Sequence, residues 1–177
     1  MNKIIAVTGM CGSGKSEAVK FFVEKGFKQV YFGEVVLNEM KRLGLEINEK
    51  NEKETRENLR KELGMGAMAV KSMTVIEEFV KHNSVVVESL YSWDEFKILK
   101  EKFGDAFKLL TIYTTKALRY ERLAKRSARP LSYEESISRD VSEIENLDKG
   151  GPIAFTDYLV INDGTLEELK KSLDKYL

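Results

Sequence analysis

Residues 9–16 read GMCGSGKS, one residue after the apolar run IIAV at 4–7 and directly before EAVKFF at 17–22. The apolar run has the character of a buried strand and the segment behind it that of a helix, so a glycine-rich turn joins them. Gly9, four residues, then Gly14, Lys15 and Ser16 match G-x-x-x-x-G-K-[ST] in the strand-to-helix context that the pattern requires. Gly9, Gly12 and Gly14 permit backbone angles and close approaches that a β-carbon blocks, which lets the amides from Gly12 to Ser16 converge on phosphate oxygens. The following helix adds its positive N-terminal end to the same anion site. In such a loop the lysine, Lys15, reaches the β- and γ-phosphates of a triphosphate, and the Ser16 hydroxyl ligates Mg²⁺. The nucleotide-binding set from this stretch is therefore Gly9, Gly12, Ser13, Gly14, Lys15, Ser16 and Glu17, with Ser16 as metal ligand. Cys11 also lies in the loop, where amides and Lys15 favour a thiolate; the plainer reading is an inert sulfur.

Outward from the loop, the runs at 3–8, 27–32, 84–89, 107–113 and 157–162 are short, β-branched or aromatic and largely apolar, as strands buried on both faces are. Helical patterns separate them: 16–26, 34–44, a long charged stretch from Glu52 to His82, 93–104, and an arginine-rich segment from Lys116 to Asp148. Alternation of this kind predicts an α/β protein, a parallel sheet with helices on both faces. Ser92 with Glu95, Ser132 with Glu135 and Thr165 with Glu168 each fit the S/T-x-x-E capping box and predict helix starts.

The chain has 177 residues, which suits one domain, residues 1–177, with a full core. Lys plus Arg and Asp plus Glu number 29 each, so no basic surplus supports a broad nucleic-acid or anionic-membrane surface. No apolar run approaches the ~20 residues that span a bilayer, and the opening run is too short for a signal peptide, so a cytoplasmic location is expected. Cys11 and His82 are the only cysteine and histidine, which leaves no internal disulfide and argues against zinc. His82 itself reads as a surface residue at a helix end.

A phosphate loop alone does not separate a GTPase, a motor and a small-molecule kinase. No N-K-x-D guanine-reading motif is present, and the one D-x-x-G, Asp148 to Gly151, follows a helical segment rather than a strand. A motor would need a longer chain and a basic track. From Lys116 to Arg129, by contrast, six basic side chains accompany one acidic one, and Arg119, Arg122 and Arg126 share a helical stripe. With Arg129 at the following turn and Arg139 in the next helix, this segment predicts a lid over about 116–150 that closes on the triphosphate, excludes water and stabilises charge on the transferring phosphoryl group. Acidic residues at strand ends complete the candidates, because ligands bind outside the carboxyl ends of such strands. Glu34 and Glu88 each fit a base or a holder of metal-bound water; Glu34 fits a helix N-terminal carboxylate equally well. Met65, Met68 and Met73 read as core. Tyr91 and Trp93 fit a base platform or a helix staple alike.

Taken in order, GMCGSGKSEAVKFFVEKGF, YFGEVV, VVVES, RYERLAKR, SRDVSE and TDYLVINDGTLEELKKSL resemble the dephospho-coenzyme A kinase and adenylate-kinase-related branch of small P-loop kinases, and within it an adenylate-kinase-related family. The resemblance covers nearly the whole chain and is weakest from Lys41 to Lys61. It implies a three-layer P-loop NTPase fold with a five-stranded parallel sheet, a helical lid, an acceptor-binding region and ATP as donor. It also implies Lys15 as a catalytic cation with Arg122, Arg126 and Arg139 at lid-arginine positions, to which the strand-end reading adds Glu34 or Glu88. Arg122, Asn162 and Gly164 fall beside the nucleotide, the last two near the adenine. This chain has Phe32-Gly33-Glu34 where dephospho-coenzyme A kinases carry D-A-D, and it lacks their H-P motif. It has Glu88-Ser89-Leu90-Tyr91 where adenylate-kinase relatives carry D-G-x-R. Those departures leave the acceptor open, with dephospho-coenzyme A and nucleoside monophosphates first among small-molecule candidates. A nucleotide-binding regulator that presents an ATP-closed state to a protein partner is the alternative.

Overall fold

A computed structural model describes residues 2–127 and 129–177; of the 116–150 segment, only Ala128 lies outside them. Five parallel strands form one sheet: β1 (Ile4–Thr8), β2 (Lys28–Tyr31), β3 (Val85–Glu88), β4 (Phe107–Tyr113) and β5 (Tyr158–Ile161), in the order β2-β3-β1-β4-β5. β1 is central and wholly buried. Its alternate side chains feed two cores, Ile4 and Ala6 with Phe32, Met40 and Ile76 on one face, and Ile5 and Val7 with Phe22, Leu110 and Leu173 on the other. The three inner strands are buried on both faces, as the apolar runs predict. The two edge strands differ, because each has a neighbour on one side only: β2 buries Val30 alone and β5 Val160 alone.

The helices are α1 (Lys15–Glu24), α2 (Gly33–Arg42), α3 (Glu49–Leu63), α4 (Ala67–Val80), α5 (Trp93–Phe103), α6 (Lys116–Ala124), α7 (Tyr133–Glu145), α8 (Gly150–Ala154) and α9 (Leu166–Leu173). All three sequence-read capping boxes form reciprocally, at the starts of α5, α7 and α9. The long stretch from Glu52 to His82 is two helices rather than one. Gly64 ends α3 at φ +81°, and Gly66 lies under Ile98 so closely that a β-carbon would meet its Cδ1 at 2.2 Å. Met68 is buried and Met73 packs against the core, as read. Trp93 stacks on Phe96 at 5.0 Å and meets Phe155 of α8's end at 4.9 Å, so it staples α8 to α5. No helix among the described residues is long and apolar enough to cross a membrane.

Candidate active site

The loop from Gly9 to Gly14 leaves the carboxyl end of β1 and enters α1 with no side-chain cap. At Gly9, φ is +140° and a β-carbon would lie 2.3 Å from the Ile112 carbonyl oxygen; at Gly14, φ is +96° and a β-carbon would lie 2.2 Å from Asn162 Nδ2. The motif's outer glycines are thus demanded by the adjoining strand ends β4 and β5 as well as by the turn. Ser13 carries the anchorage: its carbonyl accepts from Asn162 Nδ2 at 2.8 Å and from Thr114 Oγ1 at 3.1 Å. Asn162, read from the sequence as an adenine neighbour, is therefore a buried strut of the loop. The Ser13 hydroxyl is buried without a hydrogen-bond partner among the described residues, a spare polar group facing a loop whose first helical amides also lack internal acceptors.

Lys15 folds back over this loop and donates to the Met10 carbonyl at 2.9 Å. Burial, and after it repulsion from Lys149, brings its ammonium from 10.5 down to about 7, with Glu143 opposing the shift. Strand register decides the carboxylates. Glu88 pairs with Val7 of β1, which sets it at the mouth of the loop, and its Oε1 accepts from Ser16 Oγ at 3.4 Å. Gln29 Nε2 donates to the other oxygen and fixes the carboxylate plane. The next residue, Ser89, has φ +71°, an uncommon conformation for a side-chain-bearing residue and one found at functional turns. Glu34 instead lies exposed in the first turn of α2, without a side-chain hydrogen bond or ion pair among the described residues.

The arginine stripe divides into different tasks. Arg119 is buried: its Nη1 donates to the Cys11 carbonyl at 2.9 Å, and its two nitrogens grip Asp140 of α7 at 2.9 and 2.6 Å. Tyr120 donates to the same carboxylate at 3.0 Å. This is a clamp between the loop, α6 and α7, and it leaves Arg119 engaged with Asp140 rather than available to phosphate. Removing one partner of a buried pair strands the other charge at a cost of about 3–5 kcal/mol. Asp140→Ala should therefore lower unfolding stability by about 3 kcal/mol in a denaturant titration; a loss below about 1 kcal/mol would show that the clamp is dispensable.

Arg122 donates to the Asn162 carbonyl at 2.9 Å and to that of Gly164 at 3.4 Å, at the β5 end of the loop. Arg126 is exposed beyond the end of α6, and its charge acts on Lys15. Arg139 donates to Glu143 at 3.1 Å. Glu143 and Lys149 were not read from the sequence at all. They form a buried pair at 2.6 Å in which Lys149 is 0% exposed. Burial pushes the Glu143 carboxyl up, but Lys149 and then Lys15 more than reverse this and hold it below its ordinary range. Nothing local marks them in the sequence, where Lys149 is a single lysine in DKGG.

The family model described as an AAA domain matches residues 5–148, the loop and most of the 116–150 segment together. A UPF0200 protein of Thermococcus onnurineus is 35% identical, the match covering 97% of this chain and 95% of the relative. The chain belongs to the UPF0200 family. The UPF0200 protein of Methanocaldococcus jannaschii is 33% identical, with 98% and 88% covered. Among solved structures, the fold of this UPF0200 protein is similar to that of a shikimate kinase from Bacteroides thetaiotaomicron (TM-score 0.61, 13% identity, 98% of this chain and 96% of that one). It is similar also to a dephospho-CoA kinase from Campylobacter jejuni (TM-score 0.53, 19% identity, 99% and 96%). This UPF0200 protein thus has a small P-loop kinase-like fold, as the sequence resemblance implies.

Proposed function

We propose that this protein is an ATP- and Mg²⁺-dependent phosphotransferase acting on a small-molecule or nucleotide-like acceptor in the cytoplasm. The observation that carries the reading is the meeting of Ser16 and Glu88, 3.4 Å apart, beside a Lys15 loop clamped to the lid by Arg119. The residues fit the group they would hold. Glycine amides and the spare Ser13 hydroxyl suit phosphate oxygens, while Ser16 with the Glu88 carboxylate supplies the hard oxygen donors that Mg²⁺ prefers, Glu88 acting through water. Bound there, Mg²⁺ would neutralise charge on the terminal phosphates. Lys15 binds the triphosphate, the lid excludes water, and Arg139 and Arg126 balance charge as the phosphoryl group moves. Arg122 and Gly164 border the base side of the loop.

ADP release tests the reading. Purified protein with ATP and Mg²⁺ should release ADP faster in the presence of one member of a panel of dephospho-coenzyme A, the nucleoside monophosphates and pantothenate-like acceptors, with the Lys15→Ala variant as blank. Binding of ATP with no acceptor response would instead favour the regulator that presents its closed state to a protein partner.

The lowered Lys15 value has a signature of its own. Between about pH 7 and 10.5 the folded protein leaves Lys15 uncharged where the unfolded chain holds the proton, so the stability of the free protein rises with pH across that window. Triphosphate favours the ammonium. ATP binding at pH 8 should therefore take up a proton, read by calorimetry in buffers of different ionisation heat; identical heats in all buffers would contradict it.

A further inference from the structure

Beside the Asp140 clamp, α6 and α7 enclose a cavity of about 390 Å³, lined by Lys116, Ala117, Tyr120, Glu121 and Ala124 of α6 and by Tyr133 of α7. That volume is within the range of small-molecule pockets. The α6 residues recur at helical spacing, so one face of the helix supplies the wall, and its two alanines leave the room. The two tyrosine rings stand edge to face, with centroids 5.5 Å apart and planes at 80°, which makes a corner that accepts a third planar ring. Tyr133 stays 58% exposed there, although the Ser132–Glu135 capping box that starts α7 is complete without it.

The charges around the cavity select the ligand. Glu121 is already held by Lys125 at 2.6 Å, whereas Lys116 has no ion pair among the described residues, and its ammonium lies 6.0 Å from the centre of the Tyr120 ring. Two aromatic walls and one unpaired cation are the complement of a planar ring that carries a single negative charge. Direct contacts lead from this wall to the phosphate loop. The Tyr120 hydroxyl donates to Asp140 at 3.0 Å, Asp140 holds Arg119 at 2.6 Å, and Arg119 donates to the Cys11 carbonyl at 2.9 Å. A ligand seated between Tyr120 and Tyr133 ties together the same two helices that the clamp joins.

We propose that the cavity between α6 and α7 is a regulatory site for a small planar aromatic anion, whose occupancy braces the clamp and, through it, the phosphate loop, and so tightens triphosphate binding. The site stands apart from the kinase reading above; its effect on nucleotide rests on that reading.

The probes are para-hydroxyphenylacetate, its uncharged amide and cyclohexylacetate, which keep the size while removing the charge or the planar ring. Titrations followed by protein NMR without nucleotide should place the aromatic acid at α6 and the start of α7, with the other two probes weaker by about threefold or more. Lys116→Met should erase the preference for the acid over the amide. Ala117→Leu, which fills the cavity from an exposed helical position, should weaken the acid by about tenfold without lowering the melting temperature. Saturating acid should tighten ATP by about fivefold in the unaltered protein and by less than about twofold in Tyr120→Phe, which keeps the ring and breaks the contact to Asp140. Equal affinity for all the probes, or an Ala117→Leu protein that binds the acid as well as the unaltered one, overturns the site. Binding without a change in ATP affinity, or a change that survives Tyr120→Phe, overturns the regulation. Tighter binding of a short peptide with Tyr beside Glu makes the occupant a protein segment, which Ile137 is exposed to meet one turn along α7, and overturns the small-molecule assignment. A protein that binds the acid here but no ATP loses the kinase reading and keeps the site.

Discussion

Lys15→Ala is expected to reduce ADP formation by at least about a hundredfold, the scale of losing one preorganised charge at a reacting centre. The fold should survive it. The Lys15 ammonium is made unfavourable in the free protein by burial and by Lys149, and its one hydrogen bond among the described residues is to the Met10 carbonyl of its own loop. Truncation removes an expense of folding rather than a support, so the melting temperature should hold or rise near pH 7. Loss of turnover together with a collapsed melting curve would show Lys15 to be a structural residue and would remove the basis for its catalytic role.

Glu88→Gln is expected to raise the Mg²⁺ concentration needed for half-maximal rate and to lower the maximal rate by about a hundredfold. The amide has the same shape as the carboxylate and one charge fewer. Glu88 sits where β3 stops level with Val7, and it already accepts from the Ser16 hydroxyl, so the two groups most suited to the metal are neighbours before any nucleotide arrives. Glu34→Gln serves as the comparison and should leave the Mg²⁺ dependence unchanged, because its carboxylate lies exposed at the start of α2. A metal titration separates the two. An unshifted Glu88→Gln curve, or a shifted Glu34→Gln curve, would reverse the assignment.

How far the sequence reached differs from element to element, for physical reasons. The phosphate loop, the strands and all three capping boxes were legible because each is decided within a few residues: by glycine conformations, by apolar runs, by a side chain meeting an amide three positions on. The break between α3 and α4 was present as Gly64 and Gly66 but hidden by charge on both sides, and only Ile98 from another helix makes Gly66 obligatory. The different positions of Glu34 and Glu88 relative to the loop needed strand order, which sets β3 and not β2 beside β1.

The segment from Lys116 to Asp148 was legible as a basic stretch, and the partners of its side chains were not. Arg119 shares a helical stripe with Arg122, yet its partner Asp140 is 21 positions away, and that distant carboxylate turns it from a phosphate ligand into a clamp. Lys149 lacks any periodic companion, and its burial against Glu143 and Tyr91 is a tertiary fact. Hydrophobic periodicity finds faces; it does not find single buried charges.

The central claim is transfer of a phosphoryl group to an acceptor rather than to water. Phosphorus NMR of the protein with ATP, Mg²⁺ and the acceptor that best stimulates ADP release tests it most directly. The account predicts a new phosphoryl resonance of the acceptor growing in step with ADP and absent with Lys15→Ala. ADP accompanied only by inorganic phosphate, at the same rate with and without acceptor, would contradict it.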